Sequence, residues 1–443
     1  MFRILLTFMF TVSMSAYSSE IVKFEEDPLE IAIKEVSTKK FQNDLLKAVK
    51  YYNEGLFSKT IDISKDLLKS QNLSDKDKQL VYLILASSFY KSRDEDSMIG
   101  LVKSLDPKSF ADKYILYRVF QLASLLFTER KNEEGIKAVF DKIYVKRMSI
   151  PDLDFLLNEI TKNGIFDIYT NKTQTINYRG VEFQLNRNIF PFDPAKRVFG
   201  ELFIYIVEND TTLLEISKRF DFGYYELKNA NPLIDPFDVR KNQIVIFPYR
   251  RIFPYEKFDY NSIYINLVEK RLYYPVIIDG KSYVITFPIG IGTDEAQSPV
   301  GEFKISEKRK DPAWYPPESI LKEQPELPKV FPPGPDNPLG TRAMRLGNTS
   351  FLMHGTNKEY GIGMKVSHGC IRMYNEDVEK LFEVVDMGTK VVSNEVYIKK
   401  VGNEIEVFDE SGYKFLDTVS KSKIFNSIYK TDMFGKSFSI KIF

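Results

Sequence analysis

The chain is short of reactive side chains. In 443 residues there is one cysteine, Cys370, and there are two histidines, His354 and His368. A lone cysteine excludes an intrachain disulfide framework, so packing rather than cross-linking must hold the fold. Charge of one sign is also missing: 62 Lys and Arg against 61 Asp and Glu leave +1. That excludes nucleic-acid binding through bulk positive charge, because phosphate affinity comes from clustered Lys and Arg that release counterions. No run approaches the ~20 apolar residues of a membrane-spanning helix, so no stable membrane span is expected. What is plentiful is core material, at 43% of the chain. Wholesale disorder is excluded, and the length fits roughly two to four domains.

The first residues read as an export signal. Arg3 supplies the positive charge, residues 4–12 a short apolar segment broken by Thr7 and Thr11, and Ala16 and Ser18 the small residues of a cleavage site. A signal peptide over 1–18 is expected, and with it an exported protein of the periplasm or cell envelope. The segment holds no cysteine for a lipid anchor.

Residues 38–165 read as all-α. Ala48, Ala86 and Ala123 each precede an aromatic or apolar pair (Tyr51-Tyr52, Phe89-Tyr90, Leu126-Phe127). Small residues at a regular spacing let helices approach, and the bulky pair fills the next layer. The pattern resembles tetratricopeptide-type helical repeats, which would offer surfaces to protein partners; an irregular bundle fits the same residues.

Residues 203–250 change texture. An apolar strand near Phe203, a helix capped by Asp210 and Thr211, a second helix stopped at Asn231-Pro232, and a strand at residues 244–247 form a βααβ unit. This small α+β unit resembles a lysin motif, which implies binding of peptidoglycan glycan. Asn209 and Asn242 stand where glycine is customary, and Asn tolerates left-handed backbone better than most residues.

From 258 to 398 the chain is strand-rich. Asp279-Gly280 marks a hairpin. Residues 311–340 hold nine of the 21 prolines and the only tryptophan, Trp314. An extended loop is expected there rather than a helix, placed as a lid over a cleft, with Trp314 facing substrate. Asn375 is expected to cap an amphipathic helix over 375–385. The 399–443 extension has no assigned role.

The scarce residues converge. His354-Gly355-Thr356 and Ser367-His368-Gly369-Cys370-Ile371-Arg372 place the cysteine and both histidines within 16 positions of one another. Acyl transfer through sulfur needs a thiol, a base and donors for an oxyanion. Cys370 is the one thiol, a neighbouring histidine is expected to favour its thiolate, and Gly369 permits a tight turn whose amides converge. On extended backbone Cys370 and Arg372 share a face.

With FPIGIGT, SPVGEF, DPAW and PPGPDNPLG upstream, these motifs resemble the L,D-transpeptidase family of YkuD-like cysteine enzymes, in its periplasmic subgroup with a lysin motif. The resemblance covers about residues 258–398. It implies a mostly β, sandwich-like catalytic domain, so that the chain as a whole is multidomain: helical repeats, a βααβ lysin motif and the β domain. It implies Cys370 as nucleophile and His354 as proton acceptor and donor, oriented by the carbonyl of Gly355 or Thr356. His368, Gly369 and Arg372 would complete the catalytic set, while Gly355, Thr356, Ser367 and Trp314 would touch substrate. The substrate implied is a peptidoglycan tetrapeptide stem, attacked at diaminopimelate with loss of D-alanine to give a thioester. An amine acceptor makes the enzyme a transpeptidase, and water would make it an L,D-carboxypeptidase. Carbapenems would acylate the same thiol. No cofactor and no metal is implied. A zinc site built from the two histidines and Cys370 lacks the usual ligand spacings, and a non-catalytic wall-binding scaffold would not need the cysteine and base.

Overall fold

The computed structural model describes residues 39–143 apart from 71, 72 and 111, residue 169, residues 174–396 and 398–401, and the strand backbone at 20–23, 404–408, 414–418 and 439–442. The signal segment 1–18, the helical region from 144 to 165 and most of the 399–443 extension lie outside the described residues.

Three helical hairpins follow one another: α1 (Lys39–Asn53) with α2 (Phe57–Leu68), α3 (Asp75–Ser92) with α4 (Glu95–Ser104), and α5 (Lys113–Arg130) with α6 (Glu133–Ile143). Ser74, Asp94 and Asp112 accept backbone N–H groups at the starts of α3, α4 and α5. Arg93 and Lys131 adopt left-handed backbone at the tight turns. Ala48, Ala86 and Ala123 are all fully buried on the first helix of their hairpins. Helix α5 is buried continuously from Ile115 to Thr128, because it lies between the hairpins and the βααβ unit.

That unit pairs Leu202–Ile206 with Ile244–Pro248 in antiparallel register around α7 (Leu213–Arg219) and α8 (Tyr224–Ala230). Its first cap differs from expectation. Thr212, not Asp210 or Thr211, caps α7 in a reciprocal box with Glu215, while Asp210 accepts the Lys241 amide across the loop. Asn242 takes φ +70°, the left-handed turn expected of it; Asn209 does not. Asn231 is fully buried, tying Leu227 and Ile246 to Gln121 of α5.

The β domain is built on a nine-stranded sheet. Its order is Ile371–Arg372, Leu352–His354, Arg342–Leu346, Gly301–Lys310, Lys390–Asn394, Ile263–Asn266, Arg271–Ile278, Lys281–Pro288 and Ile189–Pro191. Two neighbouring pairs are parallel, 353–354 with 371–372 and 391–394 with 263–266. The hairpin at Asp279-Gly280 has positive φ at both residues, as a two-residue primed turn requires. The edge strand at 189–191 precedes the βααβ unit in the chain, so the sheet reaches outside 258–398.

The βααβ unit is packed into this domain, not tethered to it. Glu226 of α8 meets Arg251 and Arg271 at 2.5 and 2.6 Å, and both arginines are buried. The Tyr224 amide donates to the Ile362 carbonyl at 3.0 Å, and Gly223 lies against Gly363. Lys218 reaches Glu359 at 2.5 Å. Buried Lys399 pairs with Glu269 at 2.8 Å and donates to Ile252 and Tyr273.

Two local expectations are corrected. The proline-rich segment contains a short helix, α9 (Glu318–Glu323), in the proline-free stretch between Pro317 and Pro325. Helix α10 (Asn375–Val384) has Tyr374 at its cap position, and the Asn375 side chain serves the loop after His354 instead.

Candidate active site

His354 ends its strand and Cys370 immediately precedes the parallel neighbour. The register pairs Met353 with Ile371 and His354 with Arg372. Ile371 points into the apolar core and is fully buried. Alternation on extended backbone therefore turns Cys370 and Arg372 to the opposite side. The upstream motifs hold this edge in place. Gly290 exchanges two backbone hydrogen bonds with Arg372 at 2.8 Å, the Thr293 amide donates to the Ser367 carbonyl, and Ser298 Oγ accepts the Gly292 amide.

The turn before Cys370 needs glycine. Gly369 has φ +96°, and a Cβ there would run into Phe351. Ser367 is buried; its hydroxyl donates to the Cys370 carbonyl at 2.6 Å and accepts the Gly369 amide at 3.2 Å. Ser367 thus shapes the turn. Gly369 has spent its N–H in the same way, whereas the Cys370 amide has no acceptor among the described residues.

His354 is 4% exposed, and its Nδ1 lies 2.5 Å from the Gly355 carbonyl. A carbonyl only accepts, so Nδ1 carries the hydrogen and Nε2 is the basic nitrogen. Burial, then the charge of Arg372, depress the imidazole to about 4, against the pull of the Gly355 carbonyl. It is neutral at neutral pH. Burial also pushes the Cys370 thiol up, opposed by a hydrogen bond from the Leu352 backbone and by Arg372 and Arg345. The pair is therefore thiol and imidazole at rest, not the thiolate expected from their proximity in sequence. Desolvation penalises both charged forms, and among the described residues no hydrogen bond links His354 to the thiol.

Other residues fall differently from expectation. His368 is exposed and faces Glu323 of α9 at 3.1 Å, so it joins the proline-rich segment to the turn. Thr356 is buried, with its backbone held by Asn375 and its hydroxyl accepting the Lys358 amide. Trp314 is half-buried within its own segment, tilted on Phe331 at 5.3 Å between centroids. Arg372 Nε is buried without a hydrogen-bond partner among the described residues. Two asparagines were missed. Asn337 is buried and gathers the carbonyls of Pro312, Phe331 and Pro332. Asn375 holds the loop after His354. Among the described residues no three His, Cys, Asp or Glu side chains gather as a metal would need.

Fold and site together define a mostly β domain with histidine at the end of one strand and cysteine just ahead of its parallel neighbour. The L,D-transpeptidase catalytic domain model matches residues 260–392. The probable L,D-transpeptidase YcfS of Escherichia coli is 41% identical over 46% of this chain and 66% of its own length. The putative L,D-transpeptidase YkuD of Bacillus licheniformis is 30% identical over 43% of this chain and 98% of its own. An L,D-transpeptidase structure from Mycobacterium tuberculosis aligns at 18% identity and TM-score 0.24, covering 36% of this chain and 64% of that one. The chain belongs to the YkuD L,D-transpeptidase family. It spans just under two thirds, 66%, of the length of the Escherichia coli and Salmonella relatives.

Proposed function

We propose that this protein is an L,D-transpeptidase acting on peptidoglycan tetrapeptide stems through a thioester on Cys370. The observation that carries the reading is the buried, neutral His354, its Nδ1 occupied by Gly355, on the strand beside Cys370. Nε2 takes the thiol proton as sulfur attacks the diaminopimelate carbonyl. The Cys370 amide, which has no acceptor among the described residues, donates to the developing oxyanion. His354 returns the proton to the leaving D-alanine amine, and a thioester remains. An acceptor amine then attacks, gives up its proton to His354, and the thiol is regenerated. Burial favours this order. Charge is created only when the substrate arrives.

The βααβ unit is proposed as a lysin motif that holds glycan strands, supported by Asn231-Pro232 at the end of α8 and by left-handed Asn242 in a glycine's place. Export to the periplasm or envelope follows from the substrate and the N-terminal pattern. No helix among the described residues is long and apolar enough to cross a membrane. The helical hairpins are proposed as a partner surface.

The test is mass analysis of muropeptides after incubation of peptidoglycan with the full chain. Cross-linked or D-amino-acid-exchanged stems that disappear with Cys370→Ala are expected. Tripeptide stems alone would make water the acceptor, and unchanged stems would reduce the protein to a wall-binding scaffold.

A further inference from the structure

One peptide unit beside His354 is held at both ends. Its carbonyl, from Gly355, accepts the Nδ1 hydrogen of His354 at 2.5 Å. Its N–H, from Thr356, donates to Asn375 Oδ1 at 3.2 Å. The same Oδ1 accepts the Thr341 amide at 3.3 Å, and Asn375 Nδ2 donates to the Thr356 carbonyl at 2.8 Å. A peptide is planar, so its C=O cannot swing without its N–H. Fixing the N–H fixes the direction of the carbonyl, and the carbonyl sets the plane and tautomer of the imidazole.

The surrounding residues make room for this clasp. Gly355 and Gly340 both abut Asn375 Oδ1, and a Cβ on either would collide with it. Asn375 itself sits on the first turn of α10, where the Asp377 and Val378 amides bond back to the Tyr374 carbonyl. The clasp therefore hangs from a helix that does not carry the base.

We propose that Asn375 is a positioning residue for the acyl transfer: it locks the Gly355–Thr356 peptide so that His354 keeps Nε2 unprotonated and directed at the reacting thiol. The inference rests on the reading of His354 as the base.

The experiment follows acylation of Cys370 by a carbapenem across pH, by intact mass, in the full chain. It is paired with nitrogen NMR of the two imidazoles, His368 serving as internal control. Asn375→Leu keeps the size and removes every polar contact. At neutral pH its acylation is expected to fall by about 10²-fold, the usual cost of a misplaced catalytic group. At alkaline pH, where thiolate forms without help, it is expected to converge on wild type. Asn375→Asp still accepts both N–H groups but loses the donor to the Thr356 carbonyl and sets a carboxylate beside Glu359, so a rate between wild type and Asn375→Leu is expected. Wild-type His354 is expected as the Nδ1–H tautomer, and Asn375→Leu as a mixture. Asn375→Ala replaces the leucine variant should that fail to fold. A wild-type rate in Asn375→Leu, with His354→Ala slow, overturns the proposal and leaves the base in place. A wild-type rate in His354→Ala overturns the base reading itself. Slowing that is uniform across pH, or an unchanged His354 tautomer, makes Asn375 merely structural and overturns the proposal as well.

Discussion

Glu226 offers the most informative single perturbation of the architecture. It reaches from α8 of the βααβ unit to Arg251 and Arg271, which are 0% and 1% exposed at the side chain, while Glu226 is 10% exposed. Arg251 then retains only the Tyr249 carbonyl, and Arg271 only Thr286 and the Asp221 carbonyl, among their hydrogen-bond partners. Neither Nε has a hydrogen-bond partner among the described residues. Glu226→Ala would leave two guanidinium charges in a dry interface, and losing one member of a buried ion pair costs about 3–5 kcal/mol. An exposed pair would cost about 0–1 kcal/mol, so the two regimes are separable. Because a multidomain chain need not unfold in one step, the assay is local: hydrogen exchange across 224–230 and 359–363, with urea unfolding followed by Trp314 in parallel. Replacing all three residues by Met or Leu should recover most of the loss, since the interface would then hold no uncompensated charge. A loss below about 1 kcal/mol in Glu226→Ala would refute the buried-triad argument.

Gly363 has φ +85° and touches Gly223, so Gly363→Ala should pry the βααβ unit from the loop between His354 and Cys370, raising exchange at 223–230; unchanged exchange would contradict the contact. His354 binds its proton at about 4 when folded and near its ordinary 6.5 when unfolded, so the unfolded chain holds more protons between those values. Stability is therefore whole above 6.5 and falls with pH down to about 4, by about 3 kcal/mol in all. His354→Gln should flatten that slope in urea unfolding at several pH values, and an unaltered slope would assign the acid loss elsewhere. Asn337→Ala unclasps three carbonyls of the proline-rich segment, and Trp314 fluorescence should become insensitive to acylation of Cys370; a signal that still responds would separate the segment's order from Asn337.

The catalytic motifs were legible because the reactive residues are so few. Cys370 and His354 share one strand edge as their scarcity suggested, while His368 turns to Glu323, and Asp279-Gly280 declares a hairpin by backbone demand alone. The protonation state was not legible, since it depends on burial: sequence proximity of His354 and Cys370 implied a thiolate, and desolvation of both implies neutral partners. Asn375 was hidden for a related reason. An asparagine ahead of an amphipathic stretch satisfies the rule for a cap, and only the backbone shows that Tyr374 holds that place. The union of the βααβ unit with the β domain was invisible too. Glu226 lies in a helix of ordinary surface composition, and its arginines stand 25 and 45 positions away.

The central claim is that Cys370 carries the acyl group. Intact-mass measurement of the full chain, quenched in acid during reaction with a tetrapeptide donor, tests it directly. One tripeptidyl group, a tripeptide less one water, is expected as a hydroxylamine-labile thioester mapped to Cys370 and absent from Cys370→Ala. An unmodified cysteine during demonstrable release of D-alanine would contradict it.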